Sequence, residues 1–377
     1  MSVTNISEKN KYWLWVKSGG RCEYKGCNKS LYEDILTKRN FNQSYIAHIV
    51  ADVEGGPRGD SVRSELLKDD LTNLMLLCDK DHRLIDKVNV AGHPESLLLA
   101  MKKEHEDRIE RVTSIAPDMS SHIVTYKANV GEHTPIITYE SVREYILPTH
   151  YPALSSAIDL SLSNSPQRDK DESFWKTELE NLELQFIEQL RPKFRKSEIK
   201  HLSIFAFAPM PLLIKLGTLI NDVQDAEIHQ PVRTPKTWNL SNKIEPTKFK
   251  IVEPKENFPV VALNISLSAT INNDRITSIL GDECSIYTIT IDNPFNDFLK
   301  TKNQLQEFSI EIRKLFDKIK SRYNAQTPLY IFPTMPVASA IEFGRIWMPK
   351  ADMPLDIYDE NTNKGGFFKA LEIRNTK

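Results

Sequence analysis

Three cysteines in the first quarter of the chain have spacing that suits a metal. Cys22 and Cys27 share one glycine-flanked turn, GGRCEYKGCNKS, and Cys78 ends the apolar run in LLCDKDH. Two thiols on a tight turn and a third at the end of a strand fit a tetrahedral structural zinc, which accepts Cys, His or carboxylate. The fourth ligand is open: Asp81 stands three residues after Cys78, where Cys or His is usual. The plainer alternative is three buried, reduced thiols. Nearby, His48 sits in the β-like run SYIAHIVAD. Asn73 precedes a short strand, Leu74–Leu77, and His82 follows nine residues after Asn73 at a helix. That order brings three polar side chains to one edge.

The AHIVA run, the Asn-x8-His spacing and the flanking cysteines resemble the HNH nuclease family. The resemblance implies an N-terminal ββα-metal HNH module with a structural Zn2+. It makes His48 the general base on the attacking water and Asn73 the residue that holds the His48 loop. His82 then binds Mg2+ (or a similar divalent ion) at the scissile phosphate. An imidazole suits the first role because it accepts a proton near neutral pH. One departure is Ala47, which stands where many members place an Asp or His ligand just before the base. Asp86, a helical turn beyond His82, offers a carboxylate to the catalytic Mg2+, or is a solvated helix charge. Arg58, Arg63, Lys80, Arg83 and Lys87 are candidates for phosphate contacts that read no sequence.

These residues need elements to hold them. With 377 residues, two domains are the natural expectation. Net charge is −2, from 49 basic and 51 acidic residues, so a DNA-binding surface has to be local or built by oligomerisation. The N-terminus has no apolar h-region, and the most apolar stretch, Leu202 to Ile220, is broken by Pro209, Pro211 and Lys215. Signal peptide and membrane span are therefore not expected. The expectation is a cytoplasmic, bacterial protein whose thiols stay reduced. An HNH domain is read over 1–112, closing on a charged helix from Pro94 to Val112. A connector follows over 113–150, with extended runs His122–Val130 and Pro135–Val142 turning at Gly131. A larger α/β domain spans 151–377, with long amphipathic helices from Phe174 and Gln304.

That domain carries an internal repeat. LSIFAFAPMPLLIKLGTLI, from Leu202, lies without a gap on LYIFPTMPVASAIEFGRIW, from Leu329. Leu202, Ile204, Phe205, Pro209, Ile214 and Gly217 meet Leu329, Ile331, Phe332, Pro336, Ile341 and Gly344. Each copy reads as buried strand, Pro turn and helix start. Ligands of parallel α/β sheets bind at the carboxyl ends of strands, here Ala208–Pro211 and Pro333–Pro336. The two loops predict a cleft with pseudo-twofold symmetry.

FAFAPMPLLIKLG, TWNL around Trp238, and YIFPTMPVASAIEFGRIWMPK resemble the SAVED domain over roughly Tyr151 to Phe368. The resemblance implies two fused Rossmann-like (CARF-like) halves that sense a cyclic nucleotide. The order HNH then SAVED is similar to effector endonucleases of CBASS, cyclic-oligonucleotide-based anti-phage signalling. It implies a DNase acting on double-stranded DNA with little sequence specificity. A cyclic dinucleotide from a partner cyclase would activate it, with assembly into a homo-oligomer, dimer or tetramer. Candidate ligand contacts are Trp238, Arg233 and Lys236, then Arg345, and Pro209, Met210, Thr334, Met335 and Pro336 in the two loops. Competing readings are a nucleotide-sensing DNA-binding regulator without turnover and a modification-dependent restriction endonuclease.

Overall fold

The computed structural model describes residues 4–34, 36–163, 165–361 and 365–374. Their contacts divide into two units, Met1–Ala116 and Pro117–Lys377.

The first unit is built around an antiparallel pair, β1 (Ser44–His48) and β2 (Leu74–Cys78), with His48 opposite Leu74 and Ser44 opposite Cys78. All five residues of β2 are buried, as an apolar strand covered on both faces requires. Leu14, from the helix Glu8–Lys17, packs into the same core as Ile49, Leu74–Leu77, Ile85, Leu98 and Met101. Ser7 caps that helix, its hydroxyl accepting from the Asn10 N–H. After Cys78 the chain turns into the short helix Asp79–Arg83 and a π-helical turn, Leu84–Val88. The helix Glu95–Thr113 closes the unit, and His105 Nε2 donates to Ser18 O at 2.9 Å to tie it to the cysteine turn.

The second unit has two sheets. The first is parallel, in the order β4 (Tyr151–Pro152), β3 (Ser120–Lys127), β6 (Leu202–Phe207), β7 (Ala226–His229), with β5 (Ile158–Asp159) also on β3. Strand β3 corrects the expected connector over 113–150. It pairs with β6 from His122↔Leu202 to Lys127↔Phe207 in the middle of the sheet. An apolar run such as HIVTY is as much a buried parallel strand as a linker, and only its partner decides between them. Pro135–Val142 is not extended throughout either: Thr138 caps a short helix, Tyr139–Val142.

The second sheet runs β13 (Gly366–Ile373), β12 (Leu355–Asn361), β11 (Leu329–Thr334), β9 (Val260–Ser266), β10 (Cys284–Thr290), β8 (Lys250–Val252). Its middle four strands are parallel and both edges antiparallel. One apolar core spans both halves, from Ile204 and Leu213 to Leu263, Ile331 and Ile341. No helix among the described residues is long and apolar enough to cross a membrane.

The repeat is visible as strand, Pro turn and helix in each sheet: β6 with Met210–Ile220, and β11 with Val337–Ile346. The two helices pack on each other at their matched glycines. A Cβ on Gly217 would lie 2.0 Å from Ile341 O, and one on Gly344 would lie 2.0 Å from Ile214 O. The contact is reciprocal between residues that the repeat aligns, so it marks a local twofold axis. Gly217→Ala and Gly344→Ala should each cost about 3 kcal/mol through a clash that side chains cannot relieve. Urea midpoints check this, with Gly55→Ala, which meets nothing within 4 Å, expected to stay near the parent.

Candidate functional site

A cavity of about 280 Å3 in the first unit is lined by Ile46, His48, Ala51, Asp52, Val53, Gly56, Pro57, His82, Asp86 and Lys87. Strand β1 delivers His48 to it, and the helix after β2 delivers His82. His48 Nε2 lies 2.8 Å from Lys68 O. A carbonyl only accepts, so Nε2 carries a proton, and in the neutral ring Nδ1 is the nitrogen with the lone pair. Among the described residues the Asn73 side chain hydrogen-bonds backbone and not the His48 ring. Its Oδ1 accepts from Val50 N at 2.8 Å, and its Nδ2 donates to Val50 O at 2.8 Å and Leu67 O at 3.2 Å. It pins the segment just beyond His48.

His82 Nε2 is 3.2 Å from Asp86 Oδ2. The Tyr45 ring stacks on His82 at 5.0 Å with 12° between the planes. Burial works to raise the Asp86 carboxyl, but hydrogen bonds from His82 and Arg58 outweigh it, so the group sits below its ordinary range. An octahedral divalent ion with bonds of about 2.1 Å spaces adjacent ligands at about 3.0 Å. The imidazole–carboxylate pair has that spacing and a donor set that suits such an ion.

Three of the basic residues expected near phosphates are already engaged. Arg58 is paired with Asp86, Arg63 with Glu95, and Arg83 with Asp79. Lys87 lines the cavity. Tyr45 and the buried position of Arg58 escaped the sequence analysis, because both depend on which strand face and which carbonyls lie opposite.

Cys22, Cys27, Cys78 and Asp81 converge, each offering one ligand atom within 4.8 Å of the others. Asp81 Oδ2 lies 3.3 Å from Cys22 Sγ and 3.2 Å from Cys78 Sγ, and Cys27 Sγ is 4.0 Å from Cys78 Sγ. Zinc with Zn–S bonds of about 2.3 Å sets sulfur atoms about 3.8 Å apart, so the four groups fit such an ion. Burial pushes the Cys22 thiol above its ordinary range and the Cys27 thiol up to about 11. The thiol hydrogen bonds hold the Asp81 carboxyl low against burial. The open fourth position thus has Asp81 at it.

In the second unit, a cavity of about 330 Å3 opens at the strand ends of the two repeats. Pro209, Met210, Met335, Pro336 and Arg233 line it, and Met335 N donates to Met210 Sδ at 3.4 Å. Asp169, Asp359 and Glu360 line it too. Burial, together with the charges of Asp169 and Glu360, pushes the Asp359 carboxyl up to about 7.

Four expected contacts fall elsewhere. Trp238 packs edge-on against Phe205 at 5.5 Å, within a separate apolar cluster. Arg345 donates to Asn221 O at 3.1 Å and Gln224 O at 2.9 Å and pairs with Glu342, which satisfies carbonyls beyond the Met210–Ile220 helix. The Thr334 hydroxyl is taken by Ile265 O at 2.9 Å and Ala269 O at 2.7 Å. Lys236 is exposed and outside the cavity lining. Asp359 was missed because an acid is not what a search for phosphate contacts selects.

Two sheets with parallel central strands, each contributing a strand–Pro–helix unit and meeting through a glycine-matched helix pair, define a duplicated α/β fold. Residues 182–373, half of the chain, match the family described as SMODS-associated and fused to various effectors sensor domain, SAVED. The chain belongs to the SAVED family. Among solved structures it is similar to the Acinetobacter baumannii Cap4 SAVED/CARF-domain containing receptor, at 13% identity over 74% of this chain and 54% of that chain, TM-score 0.42. It is also similar to that receptor with the cyclic trinucleotide 3'3'3'-cAAA, at 15% identity over 74% and 62%, TM-score 0.43. The Moraxella osloensis Cap4 receptor is similar at 15% identity over 74% and 60%, TM-score 0.41. The chain thus spans between 54% and 62% of the length of these chains. No curated protein matches it.

Asn73 is buried and its side chain makes three hydrogen bonds, two with Val50 beyond β1 and one with Leu67 O at the end of the helix Arg63–Leu67. Asn73→Leu leaves Val50 N–H and two carbonyls without partners and should cost about 3 kcal/mol. Thermal melts of the full chain, together with amide exchange at Val50, check this.

Proposed function

We propose that this chain is a cyclic-oligonucleotide-activated, metal-dependent endonuclease of double-stranded DNA. In this reading its SAVED domain controls an N-terminal HNH-type site. The observation that carries the nuclease reading is one cavity lined by His48, His82 and Asp86, with Asn73 pinning the loop that follows His48. His48 Nδ1 takes the proton of the attacking water while Nε2–H stays on Lys68 O. Tyr45 fixes the plane of His82. His82 and Asp86 would hold Mg2+ or a similar ion, which when bound stabilises charge on the phosphate and the leaving 3′ oxygen. Cys22, Cys27, Cys78 and Asp81 would hold a structural Zn2+. Among the described residues that line the cavity, Lys87 is the one lysine or arginine, so one copy binds DNA weakly and assembly on activation raises its hold. The reading places the protein in CBASS-type anti-phage defence.

Plasmid incubated with the protein, Mg2+ and a panel of cyclic di- and trinucleotides tests this. Degradation should appear with one activator only and fall at least about 1,000-fold in His48→Ala. DNA binding without cleavage under every activator would leave the regulator reading in its place. Light scattering should show a larger species with that activator.

Metal analysis of dialysed protein should find close to one zinc per chain, and Cys78→Ser should lose it along with stability.

The acid-lined sensor cavity adds a pH dependence. A polyanion near Asp359 disfavours its charged form, so binding takes up a proton. Affinity should fall as pH rises from about 6 to about 8, and Asp359→Asn should flatten the dependence. Calorimetry in buffers of different ionisation heat reads the proton uptake.

A further inference from the structure

We infer that Arg58 is the positioning residue of the N-terminal site, holding the His48 strand and the His82–Asp86 turn in one fixed relation. The inference rests on the nuclease reading above and gives Arg58 a role other than contact with DNA phosphates.

The side chain is 9% exposed. Its Nε donates to Ile49 O at 2.6 Å and its Nη2 reaches His48 O at 3.5 Å, both at the end of β1. Its Nη1 donates to Ile85 O at 2.9 Å and its Nη2 to Asp86 Oδ1 at 2.7 Å, both in the π-helical turn. A π turn takes its carbonyls out of the ordinary helical ladder, and the guanidinium supplies the donor that Ile85 O then needs. One planar fork therefore bridges the strand of the proposed base and the turn of the proposed metal ligands.

The same fork occupies Oδ1 of Asp86 and leaves Oδ2 beside His82 Nε2. Only a guanidinium has enough rigid donors for this set; a lysine ammonium reaches one or two of them. The backbone bears a cost for it. Arg58 has φ +58, a left-handed conformation that a non-glycine residue keeps only where its surroundings over-determine it.

The test compares the full wild-type chain with Arg58→Lys and Arg58→Ala. Mn2+ binding is titrated by EPR without DNA or activator, and cleavage kinetics are measured with activator. Losing the outer partner of a metal ligand typically costs about 10–100-fold in affinity, and both variants should show such a loss. They should lower kcat and leave the DNA KM and its salt dependence unchanged. Methylguanidinium, and not methylammonium, should restore Arg58→Ala.

Wild-type Mn2+ affinity in Arg58→Lys overturns the inference. So does a raised DNA KM with a shallower salt dependence, which marks a phosphate contact, and so does a wild-type chain that binds no Mn2+. If the variants do not fold, wild-type NMR decides: an Arg58 Nε–H slow to exchange and broadened by Mn2+ supports the role, and one exchanging freely with water overturns it. A wild type that binds Mn2+ with the expected variant pattern but cuts no DNA sinks the nuclease reading and leaves the positioning role standing.

Discussion

Two glycines set the architecture of the second unit. Gly217 and Gly344 let one helix backbone rest on the other, with no room for a methyl group on either side. Everything else in the duplicated half follows from that approach. It brings the two sheets onto one core and turns the Pro209 and Pro336 loops toward one cavity. It also makes the halves equivalent about a local axis. A larger residue at either position would part the helices and open both the core and the cavity floor.

The cavity that results is not a plain phosphate cradle. Arg233 is its basic lining residue, set against Asp169, Asp359 and Glu360. The three carboxylates repel phosphate oxygens, so the proposed cyclic oligonucleotide meets like charge there and is favoured where Asp359 is protonated. Arg345 and Trp238 are occupied in holding the fold: one satisfies carbonyls past a helix end, the other covers Phe205.

In the first unit, local chemistry compensates for a small core. A two-stranded pair packed by a few helices buries few large side chains, and such a scaffold needs staples. The cysteine–aspartate cluster ties the glycine turn to the end of β2. On the opposite end of β2, Asn73 locks the loop beyond β1. The proposed site lies between these two fastenings, and Arg58 supplies the third.

The sequence by itself determined whatever is encoded in local order. The strand–Pro–helix repeat, the convergence of Cys22, Cys27 and Cys78, and the succession of His48, Asn73 and His82 were legible because residue type and spacing carry them. Gly217 and Gly344 were legible as a matched pair, though not as the contact itself. Tertiary structure alone decided that Ser120–Lys127 is a sheet strand and that Arg58, Arg345 and Thr334 serve backbone carbonyls. The physical reason is common to these cases. A strand takes its identity from its partner, and a charged or hydroxyl side chain takes its role from whichever carbonyl or carboxylate the fold leaves unpaired beside it. Those partners lie as far as 124 residues away, as Asn221 does from Arg345, and no spacing rule reaches across that distance.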